Sequence, residues 1–138
     1  MDDVKWKSHF STIRTIAVVG LSDNPDRDSY RVASYLLQQG YEIFPVNPTV
    51  SSVLSRKAYA SLSDIPKKID LVDVFRRADA VPAIVHEAIA IGVTRIWLQL
   101  GVVHQVAEAY ARAHGVEIIS DHCIKIEHHR MMHSSPFA

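Results

Sequence analysis

Gly20, Ser22, Asn24, Arg27 and Arg31 follow one another where the apolar run Thr15-Ile16-Ala17-Val18-Val19 ends, and together they carry the chemistry of an anion site. A strand that runs through a tight turn into a helix presents free backbone N–H groups and the positive end of the helix dipole, both of which favour phosphate. Gly20 permits the turn and lets a ligand approach the backbone closely. Ser22 and Asn24 add neutral donors, and Arg27 or Arg31 supplies positive charge. An ordinary strand-to-helix turn, with Gly20 needed for geometry alone, has the same spacing, so the segment by itself leaves both readings open.

The spacing departs from the dinucleotide fingerprint G-x-G-x-x-G, because Ser22 and Pro25 stand where further glycines are required. An acidic partner for an adenine ribose, expected about 20 residues further on, is also missing. The next apolar run, Tyr41-Glu42-Ile43-Phe44-Pro45-Val46-Asn47-Pro48, finishes in neutral residues. NAD is disfavoured by both departures, whereas a nucleotide of another kind is not.

Other candidates are scattered along the chain. Arg76 follows an apolar run and either pairs with Asp73 or Asp79 or meets a ligand; Phe75 beside it is core or pocket wall. Trp97 reads as core, and Gln99 either orients a polar ligand group or caps a loop. His122, Cys123, Glu127, His128, His129 and His133 raise the question of a metal. One thiolate and adjacent histidines on different helix faces fit zinc poorly, so these residues are expected to form a solvated polar tail.

The elements that must position these residues follow from periodicity. Trp6, Phe10 and Ile13 recur at helical spacing, predicting an N-terminal helix within residues 1–14. Strands are expected at Thr15–Val19, Glu42–Val46, Asp70–Phe75, Arg95–Leu100 and Val116–Ser120. Helices are expected at Ser29–Gln39, Ala80–Ile91, Val103–His114 and Ile124–Met131, with Pro48–Pro66 irregular apart from an extended piece near Lys57–Ala60. Alternating nearly continuous apolar strands and amphipathic helices predict an α/β fold of one domain, residues 15–132, with 133–138 as a tail. It is a Rossmann-like, doubly wound, parallel five-stranded sheet in three α/β/α layers, with ligand beyond the strand carboxyl ends.

Composition bounds the function. The chain has 138 residues, 48% of them hydrophobic, enough for a single core. Lys plus Arg (15) equals Asp plus Glu (15), so no strong field favours nucleic acid or an anionic membrane. No run is long enough to span a membrane, and Met1-Asp2-Asp3-Val4-Lys5 is no signal peptide. The lone Cys123 cannot form an internal disulfide, so a reducing, cytoplasmic setting is expected. A homodimer is compatible with the sequence, although no surface for it stands out.

With its loops placed, the chain resembles the small coenzyme A-binding domain proteins, whose fold is like the N-terminal domain of the succinyl-CoA synthetase α subunit. The resemblance rests on Val18-Val19-Gly20-Leu21-Ser22 with Asn24-Pro25 and Arg27, on Phe44–Pro48, on Tyr59–Pro66 and on Asp70–Arg76. It extends to Ile96–Gly101 and to Asp121-His122-Cys123-Ile124, covering roughly Thr15 to Arg130. It implies that Gly20, Leu21 and Ser22 hold the phosphates of coenzyme A with Arg27 as cationic partner. Pro45, Val46 and Asn47 would wall the adenine, Phe75 and Arg76 would border the pantetheine arm or a phosphate, and the stretch containing Gln99 and Gly101 would line the far side. Cys123, following the last strand at the carboxyl edge of the sheet, is either a small core residue or, from its location and the Asp121-x-Cys123 pattern, a thiol near the coenzyme sulfhydryl able to form a mixed disulfide with it.

Two departures from the family pattern stand out. Thr49-Val50-Ser51 is neutral where a basic residue is usual, leaving Arg56 or Lys57 to substitute, and a glycine expected near Ser55 is missing. The function implied is binding of coenzyme A or an acyl-CoA as a carrier or sensor, without an evident catalytic constellation. The alternatives are a partner-dependent CoA transferase or ligase component and an NAD(P)-binding regulator.

Overall fold

The apolar runs become parallel strands buried from both sides, because helices cover each face of the sheet they form. A computed structural model describes residues 1–133. The strands of the main sheet are β1 (Thr15–Val19), β2 (Glu42–Val46), β5 (Leu71–Val74), β6 (Arg95–Leu98) and β7 (Glu117–Ile119), in the order β2-β1-β5-β6-β7. All their pairings are parallel. The helices are α1 (Asp3–Thr12), α2 (Asp28–Gln38), α3 (Val81–Ala90), α4 (Gln105–Ala113) and α5 (Ile124–His133). The expected doubly wound, three-layer architecture is the one observed.

The two faces carry separate cores. Val81, Val85 and Ala88 of α3 and Ala107 and Ala111 of α4 pack on Ala17, Val72, Val74 and Ile96. On the opposite face Trp6, Phe10, Val32, Leu36, Ile124 and Met131, from α1, α2 and α5, pack on Ile16, Val18, Leu71 and Trp97. Trp97 is fully buried, as its mid-strand position implied; its ring meets Trp6 edge-on at 5.0 Å and its Nε1–H donates to the His122 carbonyl at 2.8 Å.

Two local expectations are corrected. The segment from Pro48 to Pro66 is not merely irregular. It contains a hairpin of β3 (Ser52–Val53) and β4 (Arg56–Lys57), and Tyr59 then bridges to the edge of β2. The C-terminal histidines are not all a solvated tail either. His128 is 3% exposed on α5, between Tyr35 and Tyr41 at 2.7 and 3.0 Å, because α5 turns that face onto the core. Of the expected tail, His133 closes α5, and residues 134–138 lie outside the described residues.

Candidate ligand-binding crevice

The chain leaves β1 toward the face covered by α2 and leaves β5 toward the face covered by α3. These neighbouring strands therefore send their connections apart, which opens a crevice at their carboxyl ends. Gly20 and Phe75 are its two lips. Gly20 has φ +83°, and a Cβ there would stand 2.3 Å from the Phe75 carbonyl oxygen and 3.0 Å from Arg76 Cδ. The structure thus gives Gly20 a stricter role than ligand access: the end of β5 passes directly against it.

The loop between Gly20 and α2 is held largely by its own hydrogen bonds. Gly20 N–H donates to the Val46 carbonyl, Ser22 N–H to Ser29 Oγ, Asn24 N–H to Ser22 Oγ, and Asp26 N–H to Asn24 Oδ1. Ser22 and Asn24 spend these side-chain acceptors on the turn itself. The first amides of α2 are different: among the described residues, no acceptor meets the N–H groups of Asp28 or Ser29. Both residues line a cavity of about 350 Å³ together with Gly20, Ser22, Asp26, Arg27 and Phe75.

The charges around this cavity are mixed. Arg27 is exposed, and Arg76 lies over Gly20; among the described residues neither forms an ion pair. Arg31 is committed elsewhere, with Nη1 donating to Asp28 Oδ1 at 3.0 Å and Nη2 to the Asp26 carbonyl at 2.6 Å. It thereby neutralises one of the two carboxylates beside the helix start. The expected alternative partners of Arg76, Asp73 and Asp79, are not bonded to it.

Around the rim, Pro45 and Val46 are buried at the end of β2. Their backbone groups are engaged, the Pro45 carbonyl by Tyr59 N–H and the Val46 carbonyl by Gly20 N–H; Asn47 N–H in turn donates to the Tyr59 carbonyl. Asn47 Nδ2 donates to the Leu21 carbonyl at 3.0 Å, and its Oδ1 accepts from Thr49, so Asn47 ties the two loops together. On the far side, Gln99 is 4% exposed and its Oε1 accepts from Ile124 N–H, the first amide of α5. Gly101, at φ +82°, donates its N–H to Asp121 Oδ1 at 2.7 Å. The predicted site residues thus converge on one edge of the sheet, several of them as the fastenings of its loops.

Asp73 entered the sequence reading only as a candidate ion-pair partner of Arg76. It is fully buried in β5, in register with Val18 and Trp97, and neither carboxylate oxygen has a hydrogen-bond partner. Burial pushes its carboxyl well above the usual range, so the neutral acid is favoured. An acid in the otherwise apolar run Leu71-Val72-Asp73-Val74-Phe75 was the available signal. Cys123, half-buried, heads α5 and packs on the same core face as Val18, Leu71, Phe75 and Trp97.

Comparisons with known proteins agree with this architecture. A family model described as a CoA binding domain matches residues 14–129. The uncharacterised protein YneT of Bacillus subtilis is 43% identical over 115 residues, which span 83% of this chain and 85% of that protein. The ADP-forming acetate–CoA ligase II of Archaeoglobus fulgidus is 30% identical over 82 residues, 58% of this chain but 12% of the ligase. A solved structure of a hypothetical protein from Pyrococcus horikoshii OT3 superposes with a TM-score of 0.93 at 36% identity, covering 96% of this chain and 93% of that one.

Proposed function

Because the chain belongs to the CoA-binding domain family, we propose that its crevice binds coenzyme A or an acyl-CoA and that the protein acts as a cytoplasmic carrier or sensor. The observation that carries this is the unsatisfied start of α2: the amides of Asp28 and Ser29 border the cavity with Arg27 and Arg76 beside them. Amides at a helix start and unpaired guanidinium groups are the donors that a diphosphate requires. In this reading Gly20, Leu21 and Ser22 form the wall under the phosphates. Pro45, Val46 and Asn47 back the adenine by shape, since their backbone groups noted above are already engaged. Phe75 with Gln99 and Gly101 borders the pantetheine arm.

A thermal-shift panel of coenzyme A, acetyl-CoA, NAD, NADP and ATP tests this. Ligand at 100-fold excess over its dissociation constant stabilises the native state by about 2.7 kcal/mol, a readily seen shift. A shift with coenzyme A and none with NAD is the expected result. A shift with NAD alone would replace this reading with a dinucleotide-binding regulator.

One observation favours a second reading, a component of a partner-dependent CoA ligase: the matching ADP-forming ligases contain a region like this chain within much longer proteins.

A further inference from the structure

The outer surface of one helical layer carries almost no charge, although 22% of the chain is Asp, Glu, Lys or Arg. The exposed residues of α3 are Ala83, His86 and Ala90. On α4 the only exposed residue with a formal charge is Arg112, whose Nη2 is drawn to the Ile118 carbonyl and to Glu108. The layer across the sheet is the opposite: α1, α2 and α5 expose Asp3, Lys5, Lys7, Arg31, Lys125 and Arg130.

Helix α4 is apolar on two sides. Ala107 and Ala111 face the core, while Val106, Ala109, Tyr110 and Ala113 recur at i, i+3, i+4 and i+7 on the solvent side. A helix that is apolar nearly all round is normally covered all round. Val106 is 76% exposed, and Leu100 and Val103, in the turn leading from β6 into α4, are 69% and 43% exposed. With Tyr110, and Ile91 at the end of α3, this layer exposes more large apolar side chains than all the rest of the described surface. Between α3 and α4 the surface dips into a hollow of about 100 Å³ whose walls include Pro82, Val85, His86, His104, Val106 and Tyr110. That is room for about three water-sized groups, the size of an isopropyl group.

A projecting valine and an apolar hollow thus sit side by side on one face. A pair of identical chains that both use the same patch needs this kind of self-complementarity. The lack of charge selects the same occupant. A partner presenting charged groups would leave them desolvated and unanswered here, whereas a second copy brings none. The open edge of the sheet is a poorer seat: the Ile118 carbonyl on β7 is taken by Arg112, and Lys5 and His9 pair with Glu117 beside it.

We propose that two copies of this chain associate through the α3–α4 face, Val106 of each entering the hollow of the other about a two-fold axis. Leu100 and Val103 extend the contact to the loop of Gly101 at the crevice rim. The pairing is independent of what the crevice holds.

Sedimentation velocity of the full chain over about a hundredfold range of concentration tests this. The mass should rise from one copy to two and stop there. Val106→Glu, at an exposed position, should raise the dimer dissociation constant at least about tenfold while circular dichroism shows the native helix content. Ala109→Arg gives a second disruption of the same stripe should the first variant not fold. Lys125→Glu, on the opposite layer, should pair as the native chain does. A chain that stays monomeric throughout, or whose mass climbs past two copies, overturns the proposal. So does a dimer that survives both stripe variants, or one lost in Lys125→Glu, since either moves the contact to another face.

Discussion

Gly20 and Asp73 are the residues at which this fold departs most from what packing alone would choose. Gly20 cannot carry a side chain, because its left-handed φ and the Phe75 carbonyl both occupy the space. Gly20→Ala should therefore cost about 3 kcal/mol, read as a lowered midpoint in urea, and should abolish any coenzyme-induced shift by parting the two lips. Asp73 works against stability at neutral pH. An acid whose native pKa is raised stabilises fully below its ordinary value of 3.8, and that contribution drains away as pH rises toward the native pKa. Asp73→Asn should accordingly melt higher than the native chain at pH 7, with a smaller difference at pH 4. At the phosphate end, Arg27→Ala and Arg76→Ala should each weaken coenzyme binding by about tenfold, roughly 1.4 kcal/mol, in calorimetric titration while leaving the melting temperature of the free protein unchanged.

Among the elements, the hairpin and α5 hold the informative features. The missing glycine noted in the sequence falls where the backbone needs one: Leu54 and Ser55 both have positive φ, 52° and 62°, as a two-residue hairpin turn demands. The basic residues beside it are held locally, Arg56 by the Leu54 carbonyl and Lys57 over the Tyr59 ring. Ser55→Gly should relieve the turn and add up to about 1 kcal/mol, measured by thermal unfolding.

Helix α5 is docked through His128. Tyr41 donates its hydroxyl proton to the Phe10 carbonyl, so the bond between Tyr41 and His128 must come from Nε2–H, leaving Nδ1 to accept from Tyr35. Burial, followed by the neighbouring His133 and His129, lowers the His128 pKa from 6.5 to about 4. Its contribution is intact above pH 6.5 and is lost as pH falls toward 4, because the unfolded chain takes up the proton first. The slope of melting temperature against pH across that window should flatten in His128→Gln.

On the scale of the whole molecule, α1 completes the cover of the sheet face that α2 and α5 also pack against. Trp6 meets Trp97 edge-on and Phe10 lies tilted against it, and Arg130 of α5 grips Asp3 with both terminal nitrogens at 2.6 and 3.0 Å. Trp6→Ala should cost about 3–5 kcal/mol, seen as an early and broadened thermal transition. No helix among the described residues is long and apolar enough to cross a membrane.

Strand and helix identities were legible in the sequence because each is a local periodicity: β-branched runs ending at Gly20 or Phe75, and apolar stripes spaced by a helical turn. The doubly wound topology followed from the handedness of crossovers, which is a property of the polypeptide and not of particular side chains, whereas the strand order β2-β1-β5-β6-β7 emerged only from the assembled sheet. What tertiary structure alone decided was the employment of each polar group. Asn47 could be read as facing a ligand until its partner proved to be Leu21, 26 positions away. Gln99 likewise bonds Ile124, and His128 reads as tail until Tyr35 and Tyr41 close around it. Hydrogen bonds between residues remote in the chain depend on how elements pack, and packing is set by surfaces that no single window of sequence contains. Asp73 shows the same limit from the other side: its position in an apolar run was visible, but only the assembled sheet reveals that both its oxygens lack a partner.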